Sequence, residues 1–588
     1  MKARFAYKYY SNRVTEIITQ PMFANMMLAW LSASLQSKAN IISYRLFSLN
    51  IKLGYTMQRR QLIKAMGLSL GAISTSAAVS GCQTLAKQPK LPSKIIQAGH
   101  FPNIIVGSGY GGAVSALRLS EKGHKVLILE MGMRWDRSPE YNTFCKMINA
   151  DKRSSWFSNM PNAPIPIPIP IRKYPGVLDL IEYEDMKVFA GRAYGGGSIV
   201  NGAIAIQPRR SHFEETFPWI DADEMYDTYF PRAMRELKVS QIPESFFNES
   251  EHYEFTRSAE RQAEKAGLKT EFFGNSYDFD YMQKEARGEV YKSALGGEVI
   301  YGNNAGKFSL DLTYLKDAEA TGNVTVKTLR KVNNIQALDN DQLRLEVHVI
   351  NKTGGVDEVE HYTCDKLFLN AGSTGTSELL LKSQAEGKLN NLNEHIGKHW
   401  GPNGNIMTGR NFVHAAGTTQ STIPVKGINM WDGDRGGSKY KIFAELAPLP
   451  LGLETWTTLY LAITDNPERG NYYFDKASKT VKLNWKREQN KYSVNAAKEL
   501  LDKLAKVNGG STSSLLFTKG FGDNFCYHPL GGCVLGKATD EFGRVKGHEN
   551  IYVQDGALIP GSAGVNPYVF ITGLAERNMA AILKEDFG

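Results

Sequence analysis

The segment that most constrains this chain is Asn103–Trp135, NIIVGSGYGGAVSALRLSEKGHKVLILEMGMRW. An apolar strand, Ile104–Val106, turns through Gly107-Ser108-Gly109-Tyr110-Gly111-Gly112. A helix follows, with Val114, Leu117 and Leu119 on one side and Arg118, Glu121 and Lys122 on the other. A second strand, Val126–Leu129, ends on Glu130. Strand, G-x-G-x-x-G, helix, strand, acid is the dinucleotide fingerprint in its structural context. Gly107 permits the tight turn, Gly109 lets backbone approach a pyrophosphate, and Gly112 lets helix close on strand. The pyrophosphate then meets the free N–H groups and positive end of the helix dipole. Glu130 is placed to accept ribose hydroxyls, which disfavours a 2′-phosphate and argues against NADP.

Ahead of this unit lies a targeting region. Met57-Gln-Arg59-Arg60-Gln-Leu-Ile-Lys64 precedes a small-residue apolar run, Ala65–Val79, and then Ser80-Gly81-Cys82. Twin arginines before such a run mark a bacterial twin-arginine signal. The ending matches a lipobox, which would make Cys82 the lipidated first residue of the mature protein. A Sec-type signal with an incidental cysteine is the alternative. The run is too short and too rich in Gly, Ser and Ala to span a bilayer. Export is expected, to the periplasm, to the outer membrane as a lipoprotein, or as a secreted protein. Residues 1–56 precede the Met57 from which such a signal would start. Residues 1–82 hold ten Lys/Arg against one Glu, which accounts for the whole-chain net charge of +9. The mature part is then formally neutral, and a basic surface for nucleic acid is not supported.

Past the leader, Gln83–Ser93 is polar and suits a tether. Pro164–Ile171 alternates Pro and Ile and must run extended. It is either an apolar lid or membrane-facing loop, or a stiff connector packed on the body. Gly191-Arg-Ala-Tyr-Gly195-Gly196-Gly197-Ser198-Ile-Val-Asn201-Gly202 lets backbone lie against a flat or charged ligand. Lys366–Leu369 reads as a buried strand returning to the nucleotide sheet, with a helix from about Thr376. Lys441–Leu446, Trp456–Thr464 and Tyr472–Leu483 read as sheet. Glu445 sits there between apolar neighbours. It is either a carboxylate with a raised pKa and a candidate base, or a strand carboxylate facing solvent, which the pattern alone favours. His528, in Tyr527-His528-Pro529, is free to act as a proton acceptor near neutral pH. Asn566 is aimed by Pro567, and a helix is expected from about Thr572. Cys145, Cys364, Cys526 and Cys533 lack zinc-ligand spacing, and no metal site is expected. Cys526 and Cys533 either pair or remain buried thiols.

GSGYGG…LEMG, GRAYGGGSIVNG, FAELAP…GLETW, YHPLGGCVLGKATDEFGRV and DGALIPGSAGVNP, in that order, resemble the bacterial cholesterol oxidases that bind FAD non-covalently, within the glucose–methanol–choline (GMC) oxidoreductase superfamily. The likeness runs from about Phe101 to Ile582. It implies an α/β fold: a Rossmann-like FAD-binding domain (100–134, 308–398, 543–588) and a discontinuous substrate domain built on a mixed or antiparallel sheet with helices (135–307, 399–542). Residues 1–82 are then the leader and 83–99 the tether. Gly107, Gly109, Tyr110, Gly111, Gly112 and Glu130 fall on the family's FAD turn and ribose acid. Gly197, Asn201 and Gly202 fall on its second flavin loop, and Val332 on its adenine contact. Asp555, Gly556, Asn566 and Tyr568 fall around the isoalloxazine ring, with Tyr568 where many members have Phe. Ile204 stands where a member has Met. The Pro-Ile run and Trp431–Tyr440 also depart from the family, which bears on the sterol rather than on the chemistry.

The implied active site is Glu445, His528 and Asn566. Oxidation of a 3β-hydroxysterol by dioxygen, with FAD as cofactor and hydrogen peroxide as product, is expected to be coupled to Δ5-to-Δ4 isomerisation. The implied partners are the sterol, dioxygen and a membrane met transiently or through the lipid anchor, and the chain is taken to act as a monomer. Two other readings stay open. One is a flavin dehydrogenase of another apolar alcohol with a non-oxygen acceptor, and the other is a non-catalytic sterol carrier.

Overall fold

A computed structural model describes residues 95–163, 169–411, 421–432, 437–447, 457–512 and 521–588. All of them belong to one compact unit, Ala86–Gly588. The leader, Cys82, the Pro-Ile residues 164–168, Pro448, Pro450 and Trp456 lie outside the described residues.

The fingerprint strands Asn103–Val106 and Val126–Leu129 are buried along their whole length. They pair in parallel with each other, and Val324–Lys327 and Lys366–Leu369 flank them. His548–Val553 joins Lys366–Leu369 in parallel, and Arg544–Val545 closes the six-stranded sheet antiparallel. Such continuous apolar runs suit strands covered on both faces, where each fully buried Leu or Ile contributes about 2 kcal/mol. Helix Tyr110–Glu121 packs on the sheet and helix Tyr568–Asp586 packs on that helix, with Val114, Leu117, Phe570 and Leu574 in one buried cluster. Three strands far apart in sequence thus meet around the nucleotide turn.

A second sheet is antiparallel, in the order Ser511–Thr512, Ile406–Asn411, Thr457–Thr464, Ile442–Ala447, Lys426–Met430, Lys269–Phe272. Its alternation decides where Glu445 points. Ile442, Ala444 and Leu446 pack with Tyr460 and Ala462 against helices Glu254–Lys265 and Lys491–Asn508. Phe443 and Glu445 therefore take the opposite face. That face is buried too, and Glu445 is 4% exposed. The solvent-facing reading of Glu445 fails because no face of this strand meets solvent.

Other expectations shift locally. Ile95–His100, at the end of the expected tether, is a strand parallel to Val356–Cys364. The helix expected from Thr376 begins at Gly372, and the one expected from Thr572 begins at Tyr568, directly after Asn566-Pro567. Tyr472–Leu483 is a separate hairpin, Asn471–Asp475 with Thr480–Asn484. All four cysteines from Cys145 onward are buried free thiols, so Cys526 and Cys533 do not pair.

Candidate active site

A cavity of about 510 Å³ opens between the two sheets, lined by the nucleotide turn on one side and by Met407, Glu445, Leu459 and Leu461 on the other. Sixteen of the seventeen residues singled out from sequence line it. They are Gly107, Gly109, Tyr110, Gly111, Glu130, Gly197, Asn201, Gly202, Ile204, Val332, Glu445, His528, Asp555, Gly556, Asn566 and Tyr568. Gly112 does not. A Cβ there would stand 2.2 Å from Gly107 O, so its task is close packing of helix on strand.

The nucleotide side has the shape of a cradle. Gly109 caps Tyr110–Glu121 in extended backbone, with no side chain on the first N–H groups. A Cβ at Gly109, Gly197 or Gly372 would meet no atom within 4 Å, so all three leave cavity space that a side chain would fill. Two helix N-termini, Tyr110–Glu121 and Gly372–Ala385, have residues on this wall, a setting that favours an anion. Both polar atoms of the Asn370 amide are buried, unpartnered and on the cavity wall. Glu130 accepts from Ser108 N (3.0 Å), Ser108 Oγ (2.6 Å) and Gly132 N (2.7 Å), and Ser108 Oγ accepts from Gly195 N (3.0 Å). The acid therefore also ties the two glycine loops together. These residues fit a dinucleotide.

Asp555 is more than a ring neighbour. Its carboxylate accepts from Gly372 N (2.8 Å), Thr376 Oγ1 (2.6 Å) and Ala557 N (2.8 Å), capping the Gly372 helix. Burial pushes its pKa up to about 6.

The opposite side brings three expected residues together. Asn566 Nδ2 donates to Glu445 Oε2 at 3.2 Å, and Asn566 Oδ1 is buried without a partner. Burial pushes the Glu445 carboxyl up to about 8, against the lowering effect of the Asn566 bond. His528 differs from the sequence expectation. Burial pushes it down to about 3, so it stays neutral across the physiological range.

Two asparagines that the sequence reading passed over fix its tautomer. Asn403 Nδ2 (3.3 Å) and Asn405 Nδ2 (3.1 Å) both approach His528 Nδ1. The Asn403 amide cannot flip, because its Oδ1 accepts from Ala563 N (2.7 Å) and its Nδ2 donates to Val565 O (2.8 Å). Asn405 is held by Tyr527 N, which donates to its Oδ1 at 3.3 Å. Nδ1 is thus an acceptor and the proton sits on Nε2. His528 can offer the cavity a donor, and of the trio Glu445 is the group able to accept a proton once ionised. The signal in the sequence was Pro402-Asn403-Gly404-Asn405, a turn cluster that did not reveal what it faced.

Beside the trio the walls are apolar: Leu178, Phe189, Met407, Leu459, Leu461 and the ring of Tyr527. Phe189 and Tyr527 pack ring to ring at 5.0 Å. No group of three or more His, Cys, Asp or Glu able to hold a metal occurs among the described residues.

The GMC oxidoreductase family model matches residues 101–400, and further GMC oxidoreductase models, one of the C-terminal part, match 403–518 and 479–575. The chain belongs to the GMC oxidoreductases. Members of this family typically bind FAD, and the fold is theirs. A cholesterol oxidase of Acinetobacter baumannii is 24% identical, over 82% of this chain and 94% of its own. A long-chain-alcohol oxidase of Arabidopsis thaliana is 22% identical, over 82% of this chain and 67% of its own. A pyridoxine 4-oxidase structure from Mesorbium loti superposes with a TM-score of 0.57 at 15% identity, covering 82% of this chain and 99% of that one.

Proposed function

We propose that this GMC oxidoreductase is an FAD-dependent oxidase of a 3β-hydroxysterol, coupled to Δ5-to-Δ4 isomerisation. The observation that carries the reading is a buried carboxylate, Glu445, beside a neutral donor histidine at the end of an apolar chamber. The relatives named for cholesterol and long-chain alcohols support a large apolar alcohol as substrate.

Gly107, Gly109, Gly111, Glu130, Gly197 and Val332 would hold the FAD. When bound, FAD supplies the hydride acceptor for the carbinol carbon and the electrons for dioxygen. The protein's own groups handle the hydroxyl. His528 Nε2–H donates to its oxygen and fixes its position. Glu445, ionised, takes its proton. Asn566 bonds Glu445 through Nδ2 and leaves Oδ1 for a donor in the cavity. That proton is consumed in the hydrogen peroxide that dioxygen becomes, and the freed carboxylate can then take a proton from C4 and return it at C6, which moves the double bond into conjugation. The apolar walls exclude water and keep the carboxylate basic.

His528→Gln and His528→Leu separate a donor from a base. Gln keeps an N–H donor, whereas Leu removes it and takes the His528 partner from Asn405 Nδ2. The Gln variant is therefore expected to turn over roughly tenfold faster than the Leu variant, the worth of about one hydrogen bond. Equal losses in the two variants would make His528 the base.

The substrate is tested by supplying the purified holoenzyme with cholesterol, its 3-ketone Δ5 isomer and a long-chain primary alcohol, and identifying the products. Conjugated Δ4-3-ketone from the first two is the expected result. Turnover of the primary alcohol alone would replace the sterol. Turnover that needs an added acceptor and yields no peroxide would make the enzyme a dehydrogenase.

A further inference from the structure

Between the second glycine loop and the start of the last helix lies a closed ring of contacts that the proposed chemistry does not use. Asn201 Nδ2 donates to Tyr110 Oη at 2.6 Å, and Asn201 Oδ1 accepts from Ala203 N at 3.2 Å. Ala203 O accepts from Tyr568 Oη at 3.0 Å. The Tyr568 ring stacks on Tyr110, with centroids 4.9 Å apart and planes 15° from parallel, which closes the circuit. All four residues line the cavity.

The ring holds a strained backbone. Ala203 has φ +55°, a left-handed conformation that a residue with a Cβ adopts only where its surroundings impose it. Three bonds do so here: the Asn201 amide on its N–H, and both Tyr568 Oη and Ser276 N (3.0 Å) on its carbonyl. Lys307 Nζ, buried beneath the loop, donates to the carbonyls of Ile199 and Asn201 and fixes the other end. Tyr568 is the first residue of its helix and follows Asn566-Pro567, so its hydroxyl also anchors the turn that aims Asn566 at Glu445.

We propose that Tyr110, Asn201, Ala203 and Tyr568 form a clamp that sets the Asn201–Ile204 segment and the Asn566 turn before the cofactor enters, with the Tyr568 hydroxyl as the positioning group that closes it. The inference rests on the proposed flavin chemistry. It adds that cofactor affinity and hydroxyl positioning are coupled through this one hydroxyl. A preset loop loses little freedom on binding, and opening it raises the cost of binding.

The test uses Tyr568→Phe, Tyr110→Phe and the double variant, each retaining both stacked rings. Two quantities are read: the FAD dissociation constant, from fluorescence of FAD titrated with apoprotein, and the limiting rate of anaerobic flavin reduction beside substrate KM. Tyr568→Phe is expected to weaken FAD binding by about tenfold and to slow reduction with KM unchanged. Because a ring opens only once, the double variant should be no weaker than about the worse single variant. Unchanged FAD affinity in Tyr568→Phe, or losses that multiply in the double variant, would overturn the clamp. A Tyr568→Phe chain that fails to fold would also overturn it, since the hydroxyl would then be structural, and Tyr110→Phe gives the same reading from the other side. Wild-type protein that takes up no FAD would sink the proposed function as well, whereas the other outcomes sink the clamp alone.

Discussion

Glu445→Gln is expected to slow flavin reduction by the alcohol by roughly a hundredfold or more and to stop formation of the conjugated ketone. Gln keeps the shape of the side chain and can still bond Asn566, but it cannot accept a proton. His528 cannot take over, because Asn403 and Asn405 donate to its Nδ1 and its Nε2 already carries a hydrogen. The pH profile gives the sign. A base works ionised, and burial holds the Glu445 carboxyl protonated up to about 8. The wild-type kcat/KM should therefore climb as pH rises toward 8, and the climb should be absent in Glu445→Gln. Stability moves the other way. With a folded pKa above the unfolded one, Glu445 costs nothing below the usual carboxylate range, and its cost grows as pH rises toward 8. Glu445→Gln should thus unfold no earlier than wild type at pH 8, which separates lost basicity from a damaged fold. Unaltered production of the conjugated ketone would remove Glu445 from the mechanism.

Gly109→Val is expected to give a folded, colourless protein that takes up no FAD. The expectation depends on which glycine is changed. A Cβ at Gly111 would stand 1.8 Å from Gln554 O and one at Gly107 2.4 Å from Asn370 O, so substitution there breaks the protein itself. Gly109 has ordinary extended backbone, φ −69°, and no atom within 4 Å of a Cβ position. Its substituent meets only the cavity, where the fingerprint places the pyrophosphate. Circular dichroism and thermal unfolding of the variant should match wild-type apoprotein, while dialysis against FAD leaves it unloaded. Retained flavin would show that the phosphates lie elsewhere. Loss of the fold would show that Gly109 is structural.

The nucleotide half was legible because its evidence is contiguous. Glycines, flanking strands and Glu130 lie within one short segment, and their periodicity points to one arrangement. Glu445 was legible as a residue but not in its direction. A strand buried on both faces loses the in–out alternation that would have said which way it points, and only the packing of Ile442, Ala444 and Leu446 on two distant helices decides it. The state of His528 was beyond reach for a different reason. It depends on Asn403 and Asn405, more than a hundred residues earlier, and on backbone groups of Ala563, Val565 and Tyr527 that hold their amides. In sequence those asparagines read as turn formers, which is also true of them. The Tyr110–Tyr568 stack joins the first and last helices of the nucleotide sheet, and no local pattern records such a pairing.

Under the proposed function, an apolar secondary alcohol reduces a flavin held by these residues. The most direct measurement mixes holoenzyme with cholesterol in the absence of oxygen, follows the yellow flavin band, then admits air and measures peroxide. The band should bleach before air enters, then return with peroxide formed in step with the ketone. A band that stays yellow under cholesterol, or one that bleaches but neither recovers in air nor yields peroxide, would contradict it.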